Sequence, residues 1–243
     1  MELKNKRILI VGGTSGFGKE VALQCLKQGA HVSVIGRSKS HVKELITTNT
    51  QPCSTSSLNG TALDATDQKQ LANFFANHKS FDHIVSTLGS AMGGGFLDNS
   101  LTEIRKVIEG KFFANLQLAQ LAMSHLNEDG SLTFTSGTGG HPSTASGAIV
   151  GNHAIDLLVK GLAIEVASEH KRVNAVAPTW TATGLWRGLS PAELQQQEQS
   201  IATSIPLKRT AKITEVASAY LYLITNNFMT GQIINVDGGV SAL

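Results

Sequence analysis

The feature that most constrains this chain is a regular alternation of short β-branched apolar runs with longer segments of helical period. The runs occupy 7–11, 31–35, 61–63, 82–87, 131–136, 172–176 and 232–236. Between them, segments near 17–29, 39–47, 67–77, 100–126, 144–169 and 213–225 repeat apolar residues every three or four positions, the spacing of an amphipathic helix. Strand, helix, strand in steady succession requires parallel strands, because each return to the same edge needs a crossover that a helix supplies. Such strands are covered on both faces and read as continuous apolar runs. The pattern predicts an α/β fold: one doubly wound parallel sheet of about seven strands, helices on both faces, in a single domain over 1–243. A chain of 243 residues suits this, since a domain of that size buries about 70% of its unfolded surface without a metal or disulfide staple.

Composition narrows the function classes. Lys plus Arg number 20 against 18 Asp plus Glu, and no run of like charges stands out, which gives a nucleic-acid or anionic-membrane role no support. Cys25 and Cys53 form no paired motif and are read as free thiols of a cytoplasmic protein. The eight histidines show no metal-binding spacing, so no metal site is expected. No stretch approaches the ~18 apolar residues of a membrane span, and the N-terminus does not read as a leader.

After the first run comes Gly12-Gly13-Thr14-Ser15-Gly16-Phe17-Gly18, leading into a helix. Glycines at a strand-to-helix turn let backbone approach a pyrophosphate, while the helix N-terminus attracts its charge. The chain is therefore expected to form a Rossmann-type dinucleotide site. At the end of the second run stand Arg37 and Ser38 rather than an acidic residue. A planar, permanently charged fork suits a 2′-phosphate, so NADP(H) is expected over NAD(H).

Over nearly its whole length the chain resembles the short-chain dehydrogenase/reductase family. Leu63-Asp64-Ala65 resembles the adenine-contacting segment, and Ser86-Thr87-Leu88-Gly89 stands where the family has its Asn-Asn-Ala-Gly turn. The run through Thr135 and Ser136 resembles the strand carrying the catalytic serine. Arg172-Val173-Asn174-Ala175-Val176-Ala177-Pro178, then Thr179, Trp180 and Thr183, resembles the segment that holds the nicotinamide. The resemblance implies a Tyr-x-x-x-Lys pair on the following helix, yet gap-free counting puts Ala148 and Asn152 at those places, or Ile149 and His153 if the register slips by one. It also implies an asparagine on the preceding long helix, where this chain has Lys111. Lysine and asparagine have traded positions. Lys111, among Phe112 and Phe113, is the expected proton donor, its pKa lowered by desolvation. Asn152 is expected at the ribose and Ser136 at a carbonyl oxygen. His141 and His153 are read as solvated and packed residues.

The segment 184–206 reads as a lid. It carries Leu185, Trp186 and Leu189 before Ser190-Pro191-Ala192-Glu193, a capping box with proline in the first turn. Its apolar tip points to an apolar or aromatic substrate. The expected activity is NADPH-dependent reduction of a carbonyl or quinone; the alternative is a non-catalytic NADP(H)-binding sensor or scaffold. The family resemblance also implies a homodimer or homotetramer.

Overall fold

A computed structural model describes residues 3–49 and 56–243; Cys53 lies outside the described residues. Seven strands form one parallel sheet: β1 (Arg7–Val11), β2 (His31–Gly36), β3 (Ser57–Ala62), β4 (Phe81–Ser86), β5 (Leu126–Thr135), β6 (Arg172–Pro178) and β7 (Ile233–Val236). Their order is β3-β2-β1-β4-β5-β6-β7. The helices are α1 (Gly16–Lys27), α2 (Lys39–Asn49), α3 (Gln68–Ala76), α4 (Leu101–Ile108), α5 (Ala114–Ala122), α6 (Ser146–Glu165), α7 (Pro191–Ser204) and α8 (Ile213–Thr225). Order reverses between β1 and β4, so the crevice above their carboxyl ends is where such a sheet takes a ligand.

The two-residue side-chain period of a strand divides the core in two. On β1, Leu9 and Val11 join one apolar cluster with Leu71 of α3, Leu118 of α5 and Ile155 and Val159 of α6. Ile8 and Ile10 join the other with Val21 of α1, Leu45 of α2 and Tyr220 of α8. The sheet is thus sandwiched as the periodicity requires. α6 has 20 residues and a mean hydropathy of 1.3, length and composition enough for a membrane span, contrary to the sequence-based expectation. Here it covers the sheet, with Ile155, Val159 and Ala163 buried on its inner face.

Three differences from the sequence pattern have local causes. β3 starts earlier than expected, at Ser57, because it follows β2 residue by residue from His31, a pairing that its polar composition hides. The expected helix over 100–126 is divided into α4, a wide π turn at Glu109–Phe113, and α5. The region 184–206 holds a short 3-10 turn at Gly184–Trp186 and then α7, started by the Ser190–Glu193 capping box.

Candidate active site

The glycine turn leaves β1 with Gly12 at φ +83° and Gly16 at φ +52°, conformations that favour glycine. The turn is also too close-packed for side chains. A Cβ on Gly18 would lie 2.5 Å from the Gly12 carbonyl oxygen, and one on Gly12 would lie 2.4 Å from Thr87 Oγ1. Thr87 explains the second contact: its hydroxyl donates to the carbonyls of Val11 and Gly12, tying the end of β4 to the turn. Ser15 opens α1 without a side-chain cap, so the helix offers first-turn N–H groups to an anion. Thr14 packs against Gly36 at the end of β2, and Thr183 faces Gly16 across the crevice. Arg37 is exposed beside them, with Ser38 Oγ bonded to Ser40 and the backbone N–H of His41. This cradle fits a dinucleotide pyrophosphate. A neutral hydroxyl and a free guanidinium at β2 fit an added phosphate better than a carboxylate would.

Farther along the crevice, Asp64 accepts from the backbone and hydroxyl of Thr66, which shapes the turn at Ala65. Thr183 caps the 3-10 turn by accepting from the Leu185 N–H. Pro178 ends β6, and Trp180 and Trp186 stack at a centroid separation of 5.6 Å. The Trp186 indole donates to the Thr181 carbonyl, anchoring the start of the segment 184–206. His141 lies on an exposed loop, bonded to Ser143.

The far end of the crevice is built around Lys111. The residue is 5% exposed, and its Nζ donates to the Thr135 carbonyl at 2.6 Å and more weakly to the Ser136 carbonyl at 3.4 Å. Gly89 borders the amine, since an added Cβ there would come 3.2 Å from Nζ. The amine thus sits at the carboxyl ends of β4 and β5, reached from the helix that precedes β5. Two local features bring it there. The π turn carries Lys111, and Asn115 one turn on donates from its side-chain amide to the Lys111 carbonyl at 2.6 Å, while accepting from Ser86 Oγ. Single wide turns of this kind often mark functional sites. On the facing helix, Gly151 leaves a gap for the lysine stem; a Cβ there would meet Lys111 Cγ at 2.9 Å. Burial pushes the Lys111 amine down to about 8, and the negative charge of Asp156 partly opposes this.

Asn152 comes to the same place from α6, its Nδ2 lying 2.5 Å from where a Cβ on Gly137 would be. Lys111 and Asn152 thus both border the end of β5, Lys111 at the Thr135 and Ser136 carbonyls and Asn152 at Gly137. Ser136 lies at the end of β5, but its hydroxyl points into α6, donating to Asp156 Oδ1 at 2.5 Å and lying 3.2 Å from the Asn152 carbonyl. Thr135 turns its hydroxyl to the other face of the sheet, bonded to the Ser86 carbonyl and to Tyr220 Oη at 2.6 Å. Tyr220 thus reaches under the site, yet it is fully buried and its burial raises its pKa. Sequence reasoning missed Asp156, Asn115 and Gly151. Asp156 had a signal, a carboxylate one turn after Asn152 on an otherwise apolar inner face.

A family model described as enoyl-(acyl carrier protein) reductase matches residues 11–241. A short-chain dehydrogenase/reductase of Gibberella fujikuroi, fsr5, is 31% identical over 98% of this chain and 95% of its own. A tropinone reductase homologue of Arabidopsis thaliana is 28% identical over 98% of this chain and 92% of its own. Among solved structures, a tyrosine-to-phenylalanine variant of ElxO with NADPH bound superposes with a TM-score of 0.86 at 25% identity, covering 98% of this chain and 100% of that one. The sheet order, the glycine cradle at its switch point and these matches across almost the full length make this chain a member of the short-chain dehydrogenase/reductase family of oxidoreductases.

Proposed function

We propose that the protein is an NADP(H)-dependent oxidoreductase that reduces a small apolar or aromatic carbonyl or quinone, with the Lys111 amine as proton donor. One observation carries the reading: a buried amine with a pKa of about 8 at the carboxyl ends of β4 and β5, in a chain with Ala148 where the family places its tyrosine. When bound, the reduced nicotinamide supplies a hydride; the protein positions and protonates. Gly12, Thr14, Ser15, Gly16, Phe17 and Gly18 would hold the pyrophosphate, Arg37 and Ser38 the 2′-phosphate, and Asp64 and Ala65 the adenine. Ser86, Thr87, Leu88 and Gly89, with Asn152, would line the ribose side, and Pro178, Thr179, Trp180 and Thr183 the nicotinamide wall. Thr135 contributes its carbonyl to Lys111 rather than its hydroxyl. Lys111 Nζ gives up a proton as charge develops on the substrate oxygen, and an amine near neutrality can do so at working pH. The segment 184–206, anchored by Trp186, closes the site against water. Activated carbonyls and quinones are favoured because they demand less of the acid. The exposed apolar residues Leu101, Phe113, Val150, Leu157 and Ile164 on α4 to α6 support a homodimer or homotetramer.

The test is deuterium transfer from NADPH labelled on each face of C4 to quinones, α-diketones, aromatic aldehydes and simple ketones. Label in a product, dependent on the protein and lost in Lys111→Ala, is the expected result. Bound NADPH with no transfer to any acceptor overturns the reading in favour of a cofactor-binding sensor or scaffold.

A further inference from the structure

A buried amine needs something to hold its charge, and among the described residues the hydrogen-bond partners of the Lys111 amine are two carbonyl oxygens, those of Thr135 and Ser136. Ser136 is bonded in two directions. Its carbonyl takes the long hydrogen bond from Lys111 Nζ at 3.4 Å, while its hydroxyl donates to Asp156 Oδ1 at 2.5 Å. A hydroxyl bound that closely to a carboxylate is a charge-assisted hydrogen bond. The side chain of Asp156 is 25% exposed, and its other oxygen lies 3.6 Å from Nδ1 of His153, which is largely exposed. The groups against the amine itself are neutral, the Thr135 and Ser136 carbonyls and Gly89; Asn115 of α5, bonded by Ser86, holds the Lys111 backbone carbonyl instead. Asp156 is the charge that acts on Lys111.

We propose that Asp156 is a positioning residue for Lys111, acting through Ser136, which serves as the bridge between amine and carboxylate. Asp156 acts through its bond to Ser136 rather than on the reacting atoms. It keeps the Ser136 peptide turned so that the carbonyls at the end of β5 face the amine, and its negative charge opposes loss of the lysine proton in a site where water is scarce. This assigns Ser136 a different task from orienting a substrate carbonyl, because its single proton is committed to Asp156. The inference rests on the reading of Lys111 as the acid, and its test is independent of turnover.

The experiment is an NMR titration of the protein labelled at lysine Cε, free of cofactor and substrate, with the Lys111 resonance assigned by its loss in Lys111→Met. In Asp156→Asn the Lys111 midpoint is expected to fall by about half a pH unit. That is less than the ~1–3 units of a charge in direct contact, because Asp156 acts through Ser136. Asp156→Glu, which keeps the charge, is expected to restore the midpoint. An unmoved midpoint in folded Asp156→Asn overturns the proposal. Should Asp156→Asn not fold, Ser136→Ala carries the same test, since removing the bridge frees the carboxylate to turn toward water. Denaturation gives a second arm: Asp156→Asn should cost less stability in a Lys111→Met background than in the wild type, and equal costs overturn the coupling. Failure of hydride transfer to every acceptor would sink the proposed function and leave this coupling standing.

Discussion

Replacing Lys111 by methionine is expected to abolish turnover and at the same time stabilise the fold. The amine titrates at about 8 in the folded protein against 10.5 for an unperturbed lysine, chiefly because it is buried. At about 1.36 kcal/mol per unit, the folded state bears about 3 kcal/mol for keeping that group charged at pH 7. Methionine fills similar space without a charge, but leaves the Thr135 carbonyl without its 2.6 Å donor, at a cost of about 2 kcal/mol. The net is a gain of about 1 kcal/mol, or roughly 2–4 °C in Tm for a chain of this size. The sign with pH follows from linkage. The folded pKa lies below the unfolded one, so the unfolded chain binds more protons between about 8 and 10.5. The wild type therefore bears the full penalty below pH 8 and recovers as pH rises through that window. Urea denaturation of both proteins at pH 7 and pH 9.5 measures it: the advantage of Lys111→Met should shrink, or change sign, at the higher pH. A methionine variant less stable than wild type by the same amount at both pH values would refute the claim that burial of a charged amine shapes this site.

Gly151→Ala should drive the lysine stem aside, since the new Cβ would lie 2.9 Å from Lys111 Cγ; kcat is expected to fall with NADPH affinity little changed, and overpacking to cost ~1–3 kcal/mol by denaturation. Arg37→Asp should weaken NADPH binding by one to two orders of magnitude, about 1.5–3 kcal/mol for a lost charged hydrogen bond plus repulsion, while NADH binding is spared; fluorescence titration with both cofactors decides it. His83 is buried and bonded to Ser131, with its pKa pushed down to about 4 by burial and then by Arg172. As pH falls below 6.5 the unfolded chain takes the proton first, so stability is lost between pH 6.5 and 4, about 2 kcal/mol of it by pH 5. Urea midpoints of wild type and His83→Leu at pH 7 and pH 5 test this, the variant being expected to show the smaller loss.

The architecture and half of the site were set by short-range patterns. Apolar periodicity is a property of neighbouring residues, and it dictated parallel strands, two helical layers and a glycine cradle at the end of β1 whatever the rest of the chain did. The expectations that Ala148 stands at the family's tyrosine position and that Lys111 and Asn152 have traded places came from the same source, single residues at counted positions. What tertiary structure decided was direction. Nothing in a row of residues says that Ser136 turns its hydroxyl into α6, that Thr135 turns its own to Tyr220 on the far face, or that a π turn carries Lys111 toward β5. Those outcomes depend on how two helices cross one sheet, and contacts between residues 111, 136 and 156 exist only once the crossing is made. A buried charge has its chemistry set by what surrounds it, so the acid strength of Lys111 was a consequence of folding, while its identity was a consequence of sequence.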